Sequence, residues 1–345
     1  MANKKVGEFD LIERYFKRPA RQSVLGVGDD CALIQPTPGT QLAISSDMLV
    51  QGRHFFADVD PCTLGHKALA VNLSDLAACG AKPLAFTLAL ALPHVDEIWL
   101  AAFSKGLFAL ADAHGCELIG GDTTQGPLNI CITVFGEVPV VNGRTQALLR
   151  SGAKTGDDLY VSGTLGDARL ALDVLRGTVS LPPEVFAQAR ARLETPTPRV
   201  ALGLALRGVA SAAIDVSDGL LGDLGHVLIA SGVGAVIDTQ IATQLIAARA
   251  YLTRANGQFD TPNGPQLPRQ TDLQTCLAYV LAGGDDYELA FTASPGQRDA
   301  VQAAARASNT PVTRIGQIET SPGLRLMDAQ GHAVANTFKS FDHFA

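Results

Sequence analysis

Apolar residues recur along this chain with two different periods, and stretches of the two kinds alternate. Where apolar side chains return every three or four residues, the spacing predicts helices. The predicted helices cover 9–16, 62–79, 96–114, a stretch after Gly166, a region up to 194–199, a segment beyond it, 220–229, 272–281 and 297–307. Shorter apolar runs bounded by glycine, proline or asparagine predict strands. The predicted strands cover 32–34, 41–44, 85–92, 116–119, 130–135, 159–161, a run ending at 214–215, 236–238, 287–292 and closing strands after the helix at 297–307.

Alternation of strands and helices in both halves predicts an α/β protein. Its 345 residues suggest two domains. A polar segment around 140–154, with an Asn142-Gly143 turn, predicts the junction between a domain of 1–145 and one of 146–345. The segment 253–271 is rich in Pro, Gly, Asn and Gln and predicts a long surface loop.

Composition narrows the classes of partner. The net charge of −7 argues against a nucleic-acid surface, which requires a basic face. No apolar run is long enough to cross a bilayer, and the first residues lack the apolar middle of a signal peptide. The six cysteines include no C-x-x-C pair, which favours reduced thiols. We therefore expect a soluble, cytoplasmic protein.

Aspartate recurs in short motifs with glycine, serine or threonine. The motifs are GVGDDC (26–31), ISSD (44–47), NLSD (72–75), GGDTT (120–124), IDVSDG (214–219) and GGDDYE (283–288). Taken singly, such an aspartate is commonly a turn residue or a helix N-cap. Asp96 and Asp223 are interpreted as helix-surface or capping residues, and Asp157-Asp158 as an ordinary turn. The aspartates of the motifs are instead expected at strand or helix ends, where open α/β sheets bind ligands.

If these strand ends converge, the carboxylates repel one another. Two unit charges about 4 Å apart repel by roughly 4 kcal/mol at an effective dielectric constant near 20. Hard divalent cations relieve this repulsion, and Mg²⁺ commonly shares its oxygen ligands with substrate phosphates. The pattern therefore predicts a site with several Mg²⁺ ions for a polyphosphate. GAKT (152–155) lacks the glycine that a P-loop requires before its lysine, and no Rossmann, protein-kinase or G-x-S-x-G motif occurs.

At these residues the chain resembles the thiamine-monophosphate kinase family over nearly its full length. The matching stretches are GEFDLI, GVGDDCALI, LAISSDMLVQGRHF, HKALAVNLSDLAACGAKP, LIGGDTTQGPL, RSGAKTGD, AIDVSDGLLGDLGH, AGGDDYEL and FDHF. The resemblance implies an aminoimidazole ribonucleotide synthetase-like fold of two α/β domains with mixed sheets flanked by helices. It also implies a homodimer formed through the first domain, with ATP and substrate in a cleft that the second domain completes.

The resemblance further implies ATP-dependent phosphorylation of thiamine monophosphate to thiamine diphosphate, and it implies roles for individual residues. The positions that match magnesium ligands are Asp30, Ser45, Ser46, Asp47, Asp75, Asp122, Asp215 and Asp218. The positions that match nucleotide-binding residues are Gly121, Asp122, Arg150 and Ser217, and those that match substrate-binding residues are His54, Asp285 and Phe341. Ser46, Asp285 and Phe341 replace the more usual Thr, Glu, and Tyr or Trp.

A phosphate monoester is ionised at neutral pH, so this acceptor needs no general base. It needs relief from the repulsion of the phosphate chain that it attacks, which Mg²⁺ can supply. Three alternatives remain open from the residues: a relative within the same fold that phosphorylates another acceptor, a non-catalytic cation- or nucleotide-binding regulator, and a metal-dependent phosphatase. No nucleic-acid or membrane partner is expected.

Overall fold

The structure is a computed structural model that describes residues 7–252 and 272–340. The chain divides into two compact units. Unit 1 comprises the chain up to residue 76 together with 81–147, and unit 2 comprises 77–80 and the chain from 148 onwards. Within the described ranges, no helix has the length and apolar character needed to cross a membrane.

In unit 1, a short helical segment precedes strands that alternate with two long helices. Its elements are α1 (Glu8–Leu11), a π-helical turn (Ile12–Phe16), β1 (Thr40–Val50), α2 (Pro61–Ala78), β2 (Lys82–Leu92), α3 (Glu97–His114), β3 (Glu117–Gln125), β4 (Asn129–Val141) and β5 (Arg144–Thr145). The sheet has the strand order β1-β4-β2-β3, and β5 pairs with β4. The β2–β3 pair is parallel, whereas β4 is antiparallel to both β1 and β2. Strands β1 and β3 therefore form opposite edges of the main sheet.

The two faces of this sheet differ in burial. On one face Leu88, Ile132 and Val134 are buried, and residues 45 and 47 of β1 belong to that face. On the other face Ile44 and Met48 of the edge strand β1 are 60% and 51% exposed. The strand thus alternates as expected for a sheet with one covered face, but Leu42, Ile44 and Met48 on its open face are apolar rather than polar.

In unit 2, helices accompany a second, larger mixed sheet. Its elements are β6 (Asp158–Ser162), α4 (Asp167–Leu175), α5 (Pro183–Glu194), α6 (Val200–Ala205), β7 (Ala212–Val216), α7 (Leu220–Ser231), β8 (Gly234–Asp238), α8 (Thr239–Ala242), α9 (Arg249–Leu252), α10 (Asp272–Ala282), β9 (Glu288–Ala293), a 3₁₀ turn (Pro295–Gln297), α11 (Arg298–Ala307), β10 (Val312–Glu319), β11 (Gly323–Met327) and β12 (Ala333–Val334). The strand order is β12-β11-β8-β10-β6-β9-β7. All residues of β6, β7 and β9 are buried, so these three strands form the centre of the core.

Most of the predicted helices and strands are confirmed, including 96–114, which corresponds to α3. Asp96 caps this helix by accepting hydrogen bonds from the backbone N–H groups of Ile98 and Trp99. Gly115 ends it in the left-handed conformation that glycine adopts readily. These boundaries are encoded by local residues, which is why the sequence predicts them well.

Two predictions near the start of the described chain are wrong. The predicted strand at 32–34 is a single bridge between Leu25 and Leu33, because no further strand pairs with it. The predicted apolar helix face of Phe9, Ile12, Tyr15 and Phe16 is wrong at Phe9, which is 82% exposed, although Phe16 is buried as expected. The helix changes to π-helical geometry at Ile12, and the longer hydrogen-bonded turn alters which side chains share a face.

The expectation that the aspartates of the motifs lie at the ends of elements is wrong for three of them. Asp47 lies inside β1, Asp75 inside α2 and Asp122 inside β3. Both strands continue through their polar motifs because a partner pairs with them there: β1 pairs with β4 over its whole length, and β3 pairs with β2.

The interpretation of Asp157-Asp158 as an ordinary turn is also wrong. Asp158 begins β6 and is fully buried, and its carboxylate accepts hydrogen bonds from Arg298 and Arg314. The hydrogen bond from Arg298 is the main reason that the pKa of Asp158 is lowered. The loop prediction for 253–271 lies outside the described residues.

Candidate active site

A cavity of about 620 Å³ lies within unit 1, beside the centres of β2 and β3. Its wall includes Asp29, Asp30, Gly121 and Asp122. The structure therefore brings three of the predicted site residues together, although Asp30 and Asp122 are far apart in the sequence. A volume of this size is typical of pockets for small molecules and cofactors.

This cavity is strongly acidic. The carboxylates along its wall belong to Glu8, Glu13, Asp29, Asp30 and Asp122, whereas Lys17 is the one lysine or arginine among the described lining residues. The Lys17 ammonium group already pairs with Glu13 at 2.7 Å. A polyphosphate could enter such a cavity only together with cations, because the wall itself repels it.

The wall of the cavity requires glycine at position 121. The φ angle of Gly121 is +147°, and a Cβ atom there would lie 1.8 Å from the carbonyl oxygen of Leu88. At the neighbouring Gly120 an added Cβ would meet nothing within 4 Å. The close approach of β3 to β2 thus explains the second glycine of GGDTT on structural grounds alone.

Ser45, Asp47 and Asp75 form a second group in unit 1. The Ser45 hydroxyl donates to the Asp75 carboxylate at 2.5 Å. The backbone N–H of Asp47 donates to the side-chain oxygen of Asn72 at 3.0 Å, so α2 faces β1 at this point. Hydroxyl and carboxylate oxygens are the ligands that Mg²⁺ prefers, and the chemistry of this group fits that ion.

Asp122 and Ser46 lie on the opposite face of the sheet from Ser45 and Asp47. The Ser46 hydroxyl contacts that of Thr133 at 2.9 Å. Asp122 pairs with Ala89, which in turn pairs with Cys131 on the same face as Thr133. Strands β1 and β3 are separated by three interstrand spacings. At about 4.8 Å per spacing, the two strands are about 14 Å apart. Over 7–252 and 272–340, no three His, Cys, Asp or Glu side chains form a group that could hold a metal ion.

His54 lies in the turn that follows β1. Its ring Nδ1 accepts a hydrogen bond from the backbone N–H of Val50 at 3.0 Å, and its own backbone N–H donates to the Val50 carbonyl at 3.0 Å. An Nδ1 that accepts a hydrogen bond is unprotonated, so in the neutral ring Nε2 carries the proton and can donate.

Four more predicted site residues lie together in unit 2, where β7 ends beside the start of β9. Asp215 is buried near the end of β7, and Ser217 and Asp218 follow that strand. The backbone N–H of Asp285 donates to the Ser217 carbonyl at 2.7 Å, which places the GGDDYE loop against this segment. The segment 217–218 and the GGDDYE loop are thus joined by a main-chain hydrogen bond.

Asp223 fixes the loop that carries Ser217 and Asp218. Its Oδ2 accepts hydrogen bonds from the backbone N–H groups of Ser217, Asp218 and Gly219 at 3.0, 3.1 and 3.2 Å. The side chain is buried, and this burial is the main reason that the pKa of Asp223 is raised to about 7. The predicted capping role therefore agrees with these contacts, but the side chain is in the interior rather than on the helix surface.

The 283–287 loop has an unusual backbone. Asp285 and Tyr287 have φ angles of 62° and 52°, in the left-handed region that residues other than glycine seldom adopt. Such a conformation costs on the order of 1–3 kcal/mol per residue and persists only where neighbouring contacts impose it. Strain of this kind is found preferentially at ligand-binding loops.

Sequence reasoning missed the charged network beneath this loop, in which Asp286 and Glu288 are buried and Arg192 and Arg199 are partly buried. The Glu288 carboxylate is completely buried and pairs with both arginines. Asp286 is also buried, and burial raises its pKa well above the usual range. The sequence feature that could have indicated this network is Glu288 itself, because it is a charged residue at the start of the mostly apolar strand ELAFTA.

The structure places Arg150 away from the other predicted residues of unit 2. Leu149 accepts a hydrogen bond from the N–H of Ala213, near the start of β7, whereas Ser217 follows the end of that strand. The Arg150 carbonyl accepts a hydrogen bond from the Ser231 hydroxyl. Phe341, predicted to bind substrate, lies outside the described residues.

Comparisons with known proteins agree with this architecture. Residues 28–138 match the family model for the AIR synthase related protein, N-terminal domain, and residues 154–329 match the model for its C-terminal domain. The chain is 46% identical over 345 residues to a thiamine-monophosphate kinase of Salmonella typhimurium, covering 98% of both chains. The predicted aminoimidazole ribonucleotide synthetase-like fold is thereby confirmed.

Solved structures give the same result. The crystal structure of a thiamine-monophosphate kinase from Stenotrophomonas maltophilia is 45% identical, has a TM-score of 0.76, and is matched over 91% of this chain and 92% of that one. A structure of AaThiL complexed with AMPPCP and TMP is 27% identical, with a TM-score of 0.72 and coverage of 90% and 89%.

Proposed function

Because this chain belongs to the thiamine-monophosphate kinase family, we propose that it transfers the γ-phosphoryl group of ATP to thiamine monophosphate and forms thiamine diphosphate. The observation that carries the proposal is the 46% identity to a thiamine-monophosphate kinase over 98% of the chain. The ligands of AaThiL, AMPPCP and TMP, correspond to an ATP analogue and to the acceptor in this reaction.

We assign the binding of the two substrates to the residues predicted from the sequence. Gly121, Asp122, Arg150 and Ser217 are proposed to contact ATP. The acidic cavity beside Gly121 and Asp122 supports this assignment, because it combines a closely packed backbone wall with carboxylates that can hold cations. His54, Asp285 and Phe341 are proposed to contact thiamine monophosphate.

Mg²⁺ is proposed as the metal, held by Asp30, Ser45, Ser46, Asp47, Asp75, Asp122, Asp215 and Asp218. When bound, it would neutralise phosphate charge and thereby let two anions approach. Support comes from the donor chemistry, since all these side chains offer oxygen atoms and Ser45 already contacts Asp75. A cation reduces the repulsion among these carboxylates, and it also reduces their repulsion of the nucleotide's phosphates. The nucleotide and the metal would therefore bind together.

No side chain needs to remove a proton in this reaction. The acceptor phosphate is already ionised at neutral pH, so the residues of the site only have to orient it and offset its charge. This is consistent with a His54 ring whose Nδ1 is engaged with the backbone and whose Nε2 can donate to an anion.

We place the reaction in the cytoplasm, where ATP is made available.

A homodimer is proposed as the working form. The open face of β1 supports this, because apolar side chains there are exposed on an edge strand. A second copy on this face would also shorten the distance between Ser46 and Asp122, which share the open face but lie at opposite edges of the sheet in one chain. Oxygen ligands contributed by two copies could then share one set of cations.

The decisive experiment measures both products. The purified chain is incubated with Mg-ATP and thiamine monophosphate, and thiamine diphosphate and ADP are quantified by chromatography. We expect equal amounts of the two products, no reaction in EDTA, and recovery when Mg²⁺ is restored. ADP release that does not depend on thiamine monophosphate, or free phosphate formed without ATP, would contradict the proposal.

A further inference from the structure

The loop at 283–287, between α10 and β9, has a conformation that its own residues do not favour. Gly284, Asp285 and Tyr287 all have positive φ angles, of 74°, 62° and 52°. A tyrosine rarely adopts this region, because its Cβ is crowded by the backbone. Contacts from outside the loop must therefore impose the conformation.

A buried network of charges lies at the base of the loop and begins at Glu288. The Glu288 carboxylate accepts hydrogen bonds from the Ser162 hydroxyl at 2.6 Å, from Arg192 Nη2 at 2.6 Å, and from Arg199 Nε and Nη2 at 2.6 and 2.5 Å. It also occupies the space beside Gly163, where an added Cβ would lie 2.1 Å from Glu288 Oε1. Because the carboxylate itself is fully buried, these charge-assisted hydrogen bonds fix it strongly.

Arg192 connects this network to the loop. Its Nη2 also donates to the backbone carbonyl of Asp286 at 3.1 Å. The Asp286 carboxylate accepts from the backbone N–H of Gly166 at 2.9 Å. On the opposite side, the N–H of Tyr287 donates to the Val216 carbonyl at 2.8 Å. The loop backbone is therefore held between the charged network and the end of β7.

Two polar side-chain atoms of the network have no hydrogen-bond partner in the described part of the chain. They are the buried atoms Arg192 Nε and Asp286 Oδ2. Unpaired buried polar atoms are uncommon in folded proteins, and local departures of this kind concentrate at functional sites.

We propose that Glu288 and Arg192 are positioning residues for the acceptor substrate, which hold the strained 285–287 backbone so that the Asp285 carboxylate is directed at thiamine monophosphate. The inference rests on the proposed function, in which Asp285 contacts this substrate. A carboxylate suits thiamine, because the molecule carries a cationic thiazolium ring and an amino group on its pyrimidine ring. The Tyr287 hydroxyl, which donates to Asp285 Oδ1 at 3.1 Å, holds the carboxylate from within the loop.

The test compares Glu288→Gln and Arg192→Met with Asp158→Asn. Asp158 is a matched control, because it too is a fully buried carboxylate of unit 2 with two arginine partners. It lies opposite Ala293, five residues along β9 from Glu288 and so about 16 Å away. Steady-state kinetics are measured with each substrate varied in turn, and thermal unfolding is recorded for every variant.

We expect KM for thiamine monophosphate to rise about tenfold or more in Glu288→Gln and Arg192→Met, with KM for ATP changed less than about twofold. Arg192→Lys retains one charged donor and should recover part of the loss. Asp158→Asn should lower thermal stability without this selective rise in KM.

Equal effects on both substrates, or the same KM change in Asp158→Asn, would refute the positioning role. If Glu288→Gln does not fold, the positioning role is judged from KM for thiamine monophosphate in Arg192→Lys compared with Arg192→Met. An inactive wild type would refute the proposed function and the inference with it, whereas an active wild type with unchanged variants would refute the inference alone.

Discussion

Aspartates that look alike in the sequence have different environments in the folded chain. Asp96 caps its own helix, and the capping contacts reach only two and three residues along the chain, so the sequence predicts its role. Asp158 pairs with Arg298 and Arg314, which are 140 and 156 residues away. No local pattern contains that information, and the sequence does not predict the ion pairs of the buried carboxylates Asp158 and Glu288 for this reason.

The first residue-scale prediction concerns the two glycines of GGDTT. Gly121→Ala should lower the free energy of unfolding by about 2 kcal/mol or more, because the new methyl group would overlap the Leu88 carbonyl at a positive φ angle. Gly120→Ala is the control, since an added Cβ there meets no atom within 4 Å. Urea denaturation followed by circular dichroism measures both. Equal stability of the two variants would argue against the close approach of β2 and β3.

The second residue-scale prediction concerns the proposed metal ligands. Asp75→Asn and Asp122→Asn should each lower kcat by about 100-fold or more, because each removes an anionic oxygen ligand while conserving shape. Asp112→Asn is the control, since this exposed carboxylate of α3 pairs with Arg18 and belongs to no proposed site. Turnover is measured at saturating Mg-ATP. Near-normal turnover in both test variants would contradict the metal role.

At the scale of elements, apolar periodicity predicts where most helices and strands lie, but it underestimates the length of some strands. β1 was predicted at 41–44 and spans Thr40–Val50, and β3 was predicted at 116–119 and spans Glu117–Gln125. The polar motifs SSD and GGD interrupt the apolar pattern, and only pairing with β4 and β2 keeps them extended. Strand ends set by a distant partner cannot be derived from local spacing. This is also why the sequence placed Asp47 and Asp122 at strand ends.

One prediction at this scale concerns the ion pairs that link β6 to α11 and β10. Asp158→Asn should lower the free energy of unfolding by about 2 kcal/mol near pH 7, because two guanidinium groups lose their buried partner but remain half-exposed to water. Asp238→Asn is the control, since the Asp238 side chain caps α8 and asparagine caps equally well.

The pH dependence of the wild type follows from the lowered pKa of Asp158. A carboxylate whose pKa is lower in the folded state contributes stability that is present above its unfolded pKa, about 3.9, and is lost as the pH falls through the folded value. Denaturation between pH 2 and 7 should therefore show a shallower loss of stability below pH 4 in Asp158→Asn than in the wild type. Parallel curves would mean that Asp158 contributes nothing to acid unfolding.

At the scale of the whole molecule, the alternation of strands and helices predicts the α/β class, but not the order of the strands. In unit 1 the order is β1-β4-β2-β3, and in unit 2 β10 lies between β6 and β8. Such orders arise from crossover connections, and a single sequence does not reveal them. The resemblance to a known family supplied the fold, and the residues then explained why each element forms.

The last prediction concerns assembly. Ile44 is 60% exposed on the open face of β1, in line with exposed Leu42 and Met48, and Cys131 and Phe135 of β4 border this apolar surface. Burying such a face against a second copy removes apolar area from water, at roughly 25 cal/mol per Å². We expect sedimentation equilibrium to give twice the 36.1 kDa of one chain, and Ile44→Lys to shift the mass toward the monomer.

Ile98→Lys is the matched control for this prediction. Ile98 is 86% exposed on α3, so the same change of residue there alters charge without touching the open face of β1. If a second copy also brings its Asp122 to the proposed metal ligands of β1, turnover should fall in Ile44→Lys in proportion to the monomer formed and should recover at higher protein concentration. A wild type that sediments as a monomer with full activity would contradict the dimer, and every ligand of the reaction would then have to come from one chain.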